Sequence, residues 1–379
     1  MKNPARICIM LPRFSRYGGV EQFGFRLAEA LAARGCAVEF ICARQETEPP
    51  AGVRVIAVGR PPGPRVGKML WFLLRAEQIR KKGGYDLSIG LGKTWNQDVL
   101  RVGGGPLRNY RNLSEQALPE GFPRTSKRLR RLLSPSDWLT LAVERRQYSG
   151  SATVLAVSDL VAEWIMGEHP GMDRERLEVI YNLPDFSRFS PPSPEERTAA
   201  RDALGAKSGC ADAARGVWIG TASTNFVLKG VGPLIRALAL LPDDHHLFVA
   251  GGRGNAEYLD VAASLGVKER VHFLGKVEDM PAFYKALDVF VLPTFYDACS
   301  NAVLEAAATG VRVLSTPFNG SSRFLPPERI LAEPGDPECL AAGIRDALVA
   351  PAPAPLTPPA GLVSGLPAFV ERIEAMLPK

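Results

Sequence analysis

The sequence predicts an α/β protein built from two doubly wound, parallel-sheet domains that face a cleft. Three observations carry that expectation. Short apolar runs suited to buried strands alternate with segments of helical period along most of the chain. At 379 residues the chain exceeds one typical domain. The alternation pauses once, at Asn182-Leu183-Pro184-Asp185, and then starts again.

The first series opens with an apolar strand over residues 6–11 and a loop holding Gly18-Gly19. Val20, Phe23, Leu27 and Leu31 then recur at helical spacing, and Gly35 closes that helix. Strands follow at 37–42 and 54–58, a helix at 68–82, and a strand at 87–91 that runs into Gly92-Lys93. A strand at 154–157, a helix at 160–166 and a strand at 177–181 complete the series. The second series begins with a strand at 217–221, and Lys229-Gly230 opens a helix reaching Leu240. Strands at 246–250, 271–274, 289–293 and 311–315 come next, with helices between them. Residues 349–360 are rich in Pro and Ala, and an amphipathic helix spans about 366–377. The expected division is 1–181, 182–358 and 359–379, with the last helix returning to the first domain.

Composition is that of a soluble globular chain, 46% hydrophobic and 23% charged. No apolar run approaches the ~18 residues of a membrane span, and the first residues continue as a strand rather than a signal peptide. Six cysteines without CxxC pairing suit reduced thiols in a cytoplasmic protein. The net charge of +6 is uneven: residues 1–150 hold 26 Lys and Arg against 12 Asp and Glu, the remainder 20 against 28. A basic first half suits an anionic partner, whether nucleic acid, an anionic membrane face or a phosphorylated glycolipid. Residues 106–150 mix Arg124, Lys127, Arg128, Arg130 and Arg131 with Tyr110, Leu129, Leu132, Leu133 and Trp138. That mixture suits an interfacial surface; an amphipathic helix pair with a solvated basic face is the plainer reading.

Several residues have the chemistry of a site. Asp297 and Glu305 lie eight positions apart, with Ser300-Asn301 between them suited to cap a helix. Such a helix start offers unpaired N–H groups to an anion while the carboxylates grip hydroxyls. A phosphate with sugars on both sides would satisfy both, although a short surface helix after a buried strand explains the same residues. Gly18-Gly19 stands at a strand-to-helix junction where backbone approaches a ligand, or simply turns. Lys229-Gly230 stands at another, with a cation suited to a diphosphate. Arg188 follows the proposed crossover, where a salt bridge is the rival role. Asp98 follows a strand and the polar Thr94, Asn96 and Gln97, as a cleft carboxylate or a loop-capping one. The four histidines all lie beyond residue 150, and His245-His246 reads as a surface turn rather than a metal site. There is no GxGxxG, no GxSxG, no GxxxxGK[ST] and no Asp-x-Asp, so no metal is expected on the diphosphate.

Taken together, these segments resemble the retaining, nucleotide-sugar-dependent glycosyltransferases of family 4, which have the two-domain, Rossmann-like GT-B fold. The likeness rests on Gly18-Gly19, on 182–189, on Lys229-Gly230, on Phe273-Leu274-Gly275 and above all on the run from Leu287 to Ala306, which matches the family's Glu-x7-Glu motif. Within the family the chain is most similar to the lipopolysaccharide core glucosyltransferase I group, through Tyr296-Asp297, Asn225 to Gly230 and the basic insertion. The resemblance implies an acceptor-binding first domain and a donor-binding second domain. It implies that Glu305 binds ribose hydroxyls and Asp297 donor-sugar hydroxyls. Ser300, Asn301 and Ala302 would offer N–H groups to the diphosphate, Lys229 and Arg188 would neutralise it, and Asp98 would act as base or acceptor ligand. Asp297 replaces the usual Glu, shortening the reach by about 1.5 Å; Leu228 stands where the group often carries Arg, and Leu183-Pro184 replaces Gly-Val.

The expected reaction is transfer of a hexose, glucose-like, from a UDP-sugar to a lipopolysaccharide core or related glycolipid, without metal or further cofactor. The expected place is the cytoplasm, peripheral on the inner face of the membrane through residues 106–150, with no nucleic-acid partner. Two rivals differ in class: a nucleotide-sugar epimerase or hydrolase on the same fold, and a non-catalytic glycolipid-binding protein.

Overall fold

The computed structural model describes residues 4–210, 216–252, 254–357 and 364–377. They divide into two compact units, Met1–Arg111 with Thr125–Asn182 and Val363–Lys379, and Asn112–Arg124 with Leu183–Leu362. The segment 112–124, assigned by the sequence to the first domain, groups with the second.

The first unit begins β1 (Arg6–Met10), β2 (Arg13–Phe14), α1 (Gly19–Ala33), β3 (Ala37–Cys42), β4 (Arg44–Gln45) and β5 (Val53–Ala57). It continues through α2 (Arg65–Lys82), β6 (Leu87–Gly90) and β7 (Val99–Val102). The basic stretch then forms α3 (Leu107–Gln116), α4 (Phe122–Leu132) and α5 (Pro135–Gly150), before β8 (Thr153–Ala156), α6 (Asp159–Glu168) and β9 (Leu177–Val179). Seven of its strands form one parallel sheet, in the order β5-β3-β1-β6-β7-β8-β9, and β2 pairs with β4 separately. Ile7, Cys8 and Ile9 of β1 are fully buried, as expected for a strand covered on both faces.

The second unit comprises α7 (Pro194–Ser208), β10 (Val217–Ala222), α8 (Val231–Leu238), β11 (His245–Ala250), α9 (Ala256–Ser264), β12 (Val271–Gly275), α10 (Met280–Ala286), β13 (Val289–Val291), α11 (Asn301–Ala308), β14 (Arg312–Leu314) and α12 (Pro337–Val349). Its five parallel strands run β12-β11-β10-β13-β14. Each sheet reverses its order once, between β1 and β6 and between β10 and β13. In a doubly wound sheet, ligands bind at the carboxyl ends of the strands beside that reversal.

The last helix, α13 (Gly365–Glu374), lies on the first unit. The Phe369 ring meets Phe23 of α1 edge-on at 5.2 Å, and Arg372 grips Glu178 at 2.7 and 2.8 Å. Among the elements absent from the sequence expectation are β7 and α7. β7 is only four residues long and follows β6 without an intervening helix, so no periodicity marks it. α7 carries a capping box, in which Ser193 accepts from the Glu196 N–H and Glu196 accepts in return; its Ser-Pro-x-Glu signature is visible in the sequence. His245-His246 is not a surface turn: both residues belong to β11, with His245 buried.

Candidate functional site

The loops that follow β10 and β13, on either side of the reversal in the second unit, are stitched together. The Phe295 N–H donates to the Leu228 carbonyl at 3.0 Å, and the Thr294 hydroxyl donates to the same oxygen at 3.3 Å. Gly230 makes this contact possible. Its φ is 69°, and a Cβ there would stand 2.2 Å from the Pro293 carbonyl oxygen. No other residue satisfies both demands.

The stitching sets Lys229 against the loop after β13. Its ammonium donates to Asp297 Oδ2 at 2.5 Å and to the Tyr296 carbonyl at 2.9 Å. Asp297 Oδ1 accepts the Cys299 N–H at 3.2 Å, so both carboxylate oxygens are held. The Asp297 backbone pairs with the loop around Asn319, donating to Phe318 and accepting from Gly320. Asp297 is thus a fixed acceptor, with lone pairs left for hydroxyl donors.

α11 starts just beyond. The Ser300 hydroxyl caps it by accepting the Val303 N–H. The expectation that Ser300 offers its own N–H to an anion is corrected here. That N–H donates at 3.2 Å to Oδ1 of the buried Asn319, which also accepts from the Ser321 N–H. Asn301 and Ala302 are the first two helical residues, beyond reach of an intrahelical acceptor, so the anion-facing donors begin at Asn301.

Glu305 follows one turn later, half-buried, and accepts the hydroxyl of the fully buried Tyr284 at 3.0 Å. Burial raises its pKa to about 7; the Tyr284 hydrogen bond and the positive charge of Arg188 oppose that rise. Arg188 itself is exposed, its guanidinium over the Phe189 ring at 5.5 Å, on the Glu305 side of the site and, among the described residues, in no salt bridge. Two glycines after β11, which sequence reasoning passed over, pack closely against the loop after β10. Cβ atoms at Gly251 and Gly252 would meet the Ser223 carbonyl oxygen at 2.4 Å and the Phe226 ring at 2.0 Å. A Gly-Gly pair directly after an apolar run was the available signal. The structure therefore brings Lys229, Asp297, Asn301, Ala302, Glu305 and Arg188 into one unit around the strand reversal.

In the first unit, Gly18 and Gly19 start α1 beyond the carboxyl end of β1. Gly18 takes φ 102°, and a Cβ there would strike the Glu21 carboxylate. Asp98 is not a cleft carboxylate. It precedes β7, and its Oδ2 accepts the Ser88 N–H at 2.7 Å and the Ser88 hydroxyl at 2.6 Å. The loop 91–98 carries the chain from the carboxyl end of β6 back toward the amino end of β7, so Asp98 ties two strands together away from the edge where ligands bind. The catalytic role expected of it does not fit that position.

Two family domains match the chain: "Glycosyltransferase Family 4" over residues 17–90 and "Glycosyl transferases group 1" over 214–349. Among curated relatives, the D-inositol 3-phosphate glycosyltransferase of Xylanimonas cellulosilytica is 27% identical over 80% of this chain and 76% of its own. The lipopolysaccharide glucosyltransferase WaaG of Escherichia coli is 26% identical over 90% of this chain and 89% of its own. Among solved structures, that of WaaG, described as a glycosyltransferase involved in lipopolysaccharide biosynthesis, superposes with TM-score 0.75 at 23% identity, covering 91% of this chain and 90% of that one. Anabaena HepE in complex with UDP-glucose superposes with TM-score 0.63 at 19% identity, with the same coverage.

Proposed function

Because the chain belongs to the family 4 glycosyltransferases, with the GT-B fold, we propose that it moves a hexose, with retention, from a UDP-sugar to an anionic glycolipid of the lipopolysaccharide-core type. The observation that carries this reading is the ordering of groups along one short path: Asp297 with Lys229, then the start of α11, then Glu305. That order matches sugar, diphosphate and ribose in a nucleotide-sugar.

In this reading Glu305 accepts from ribose hydroxyls and Asp297 from donor-sugar hydroxyls. Charge builds on the diphosphate as the glycosidic bond breaks. Lys229, Arg188 and the N–H groups of Asn301 and Ala302 stabilise it, with no metal ion called for. The acceptor hydroxyl loses its proton to the departing phosphate oxygen on the same face of the sugar. No carboxylate of the first unit is assigned that proton, since Asp98 is bound to Ser88.

The acceptor side rests on α4. Its half-buried face is basic: the Arg131 guanidinium donates to the Arg111 carbonyl, and that of Arg124 to the Leu118 carbonyl. Its outward face is apolar, with Phe122 84%, Leu129 57% and Leu132 50% exposed, followed by Leu133 at 72% and Trp138 at 63%. Arg128 and Arg130 flank that apolar face and are exposed. An apolar face bordered by cations suits the headgroup region of an anionic membrane. Among the described residues no helix is long and apolar enough to cross one, so the contact proposed is peripheral.

Transfer from radiolabelled UDP-sugars to extracted core glycolipid tests the proposal. Labelled glycolipid formed from UDP-glucose supports it. Conversion of the donor without acceptor, to free sugar or to an epimer, overturns it.

A further inference from the structure

Cys210, His246 and His272 converge in the second unit from three separate places. Cys210 follows the left-handed Gly209 that ends α7, at φ 71°. His246 is the second residue of β11 and His272 the second of β12, neighbouring strands whose parallel register sets Phe248 beside His272. Cys210 Sγ lies 3.5 Å from His246 Nδ1, and that nitrogen lies 3.2 Å from His272 Nε2. All three atoms fall within 4.8 Å of one another.

The 3.5 Å and 3.2 Å separations are close to two edges of a tetrahedron. With Zn–S near 2.3 Å and Zn–N near 2.05 Å, a tetrahedral ion sets S···N at about 3.5 Å and N···N at about 3.4 Å. The ring centroids of His246 and His272 are 5.4 Å apart and the rings nearly parallel, at 21°. The two nitrogens therefore face one another along the line of centres, as an N–H···N bond requires. An ion to one side of that line takes both lone pairs once each ring turns by roughly 35°. A neutral imidazole, the ordinary form at pH 7, keeps a lone pair on one ring nitrogen for an ion.

We propose that Cys210, His246 and His272 form a binding site for a borderline-soft divalent ion of the Zn²⁺ class. One thiolate and two imidazoles favour Zn²⁺ over Mg²⁺ or Mn²⁺, which take oxygen ligands. The proton balance is fixed. The Cys210 thiol loses one proton to solvent. The proton shared by His246 Nδ1 and His272 Nε2 moves to the other nitrogen of one ring. One proton leaves for each ion bound.

The site lies at the amino ends of β11 and β12, whereas Gly251, Lys229 and Asp297 lie beyond carboxyl ends. The length of β11 alone separates the two edges by about 15 Å. The ion would serve the fold by fastening the end of α7 to β12, an edge strand of this sheet. It takes no part in the reaction proposed above, and its test is independent of that proposal.

Purified full-length protein, stripped with chelator, is titrated with Co²⁺ and then Zn²⁺. The expected result is one Co²⁺ per chain with a thiolate-to-cobalt charge-transfer band in the near ultraviolet, displaced by one Zn²⁺. Calorimetry in buffers of different ionisation enthalpy should show one proton released. Cys210→Ser should abolish the band, and His272→Ala should weaken Zn²⁺ at least tenfold. Both variants should retain the wild-type far-ultraviolet circular dichroism and a cooperative melt, which shows that they fold. Should His272→Ala fail to fold, Cys210→Ala carries the same test. The proposal is overturned if no Co²⁺ binds stoichiometrically, if the band is missing from wild type, or if it survives in Cys210→Ser.

Discussion

Lys229 Nζ stands 2.5 Å from Asp297 Oδ2, joining residues 68 positions apart in sequence across the strand reversal of the second unit. The pair is neutral before a ligand arrives, so neither charge is stranded when the site is empty. In the proposed reading a diphosphate beside Lys229 would draw the ammonium toward a second anion and leave Asp297 freer to accept from the sugar, so that one pair would couple the two subsites.

Replacing Lys229 with Ala removes the cation proposed to stabilise the leaving group and takes the ammonium from Asp297. We expect kcat to fall by about 10²–10³, the usual effect of losing one preorganised charge-stabilising group. Lys229→Arg keeps the charge and should recover part of the loss. Steady-state kinetics with glycolipid acceptor decides this; a turnover unchanged in Lys229→Ala overturns the assignment.

Asp297→Glu restores the family's longer carboxylate, extending its reach by about 1.5 Å. The Cys299 N–H that holds Asp297 is fixed by the backbone, so a longer side chain must present its oxygens at a different position. The expected outcome is altered donor choice: the ratio of kcat/KM for UDP-glucose against UDP-galactose should change at least about fivefold, or roughly 1 kcal/mol. An unchanged ratio, measured with both donors, places sugar selection elsewhere.

The raised pKa of Glu305 has opposite consequences for stability and for binding. Its folded-state value of about 7 lies above its ordinary 4.5, because burial disfavours the carboxylate. The folded protein therefore binds more protons than the unfolded chain between those values. The contribution of Glu305 to stability is complete below about pH 4.5 and is lost as pH rises through 7, by at most about 3 kcal/mol. Ribose hydroxyls prefer the carboxylate, so donor binding should strengthen over the same rise. Melting curves from pH 5 to 8 should show the ligand-free wild type losing stability relative to Glu305→Gln. The UDP-induced shift should grow with pH in wild type and stay flat in the variant. Parallel pH profiles for the two proteins would contradict this.

How much of this site was legible in the sequence follows from how local each part is. Asp297, Ser300, Asn301 and Glu305 lie within nine residues, and capping preference with the 3.6 period places the last three at one short helix, with Asp297 just before its cap. The bond from Asn319 to the Ser300 N–H spans 19 residues and depends on the fold, so the sequence credited Ser300 with a donor that is already used. Asp98 was misplaced for a related reason. Without β7, which has four residues and no helix before it, nothing in the sequence says whether Asp98 lies at the ligand-binding edge or the opposite one. The His246–His272 pairing likewise exists only through the register of β11 on β12. Strand and helix alternation was legible because burial on both faces imposes apolar runs; the partners of particular polar atoms were not, because sheet register is not written in periodicity.

Gly230→Ala tests whether the loop stitching positions Lys229. The substitution demands a left-handed conformation of a residue with a Cβ, and sets that Cβ against the Pro293 carbonyl oxygen, where only backbone can yield. The conformational cost alone is about 1–2 kcal/mol, and the clash adds to it. The expected variant is folded with a lowered Tm and with kcat reduced more than the Tm change explains, since Lys229 moves with its neighbour. Wild-type Tm and kcat together would remove Gly230 from the argument.

The outward apolar face of α4 makes a prediction about salt and side chains separately. Phe122, Leu129 and Leu133 point away from the protein, while Arg128 and Arg130 stand exposed beside them. Each cation near an anionic surface contributes about 1 kcal/mol, and each Leu buried among acyl chains about 1.5–3 kcal/mol. Arg128→Glu with Arg130→Glu should weaken binding to vesicles of phosphatidylglycerol and phosphatidylethanolamine at least tenfold at low salt. Leu129→Ser with Leu133→Ser should weaken it at all salt concentrations. Raising salt to 1 M shortens screening to about 3 Å and should release most of the wild type, leaving the residual apolar term that the Leu variant lacks. Co-sedimentation separates these terms. If neither pair of substitutions alters vesicle binding, α4 is not the membrane-facing surface, and its apolar side chains need another partner.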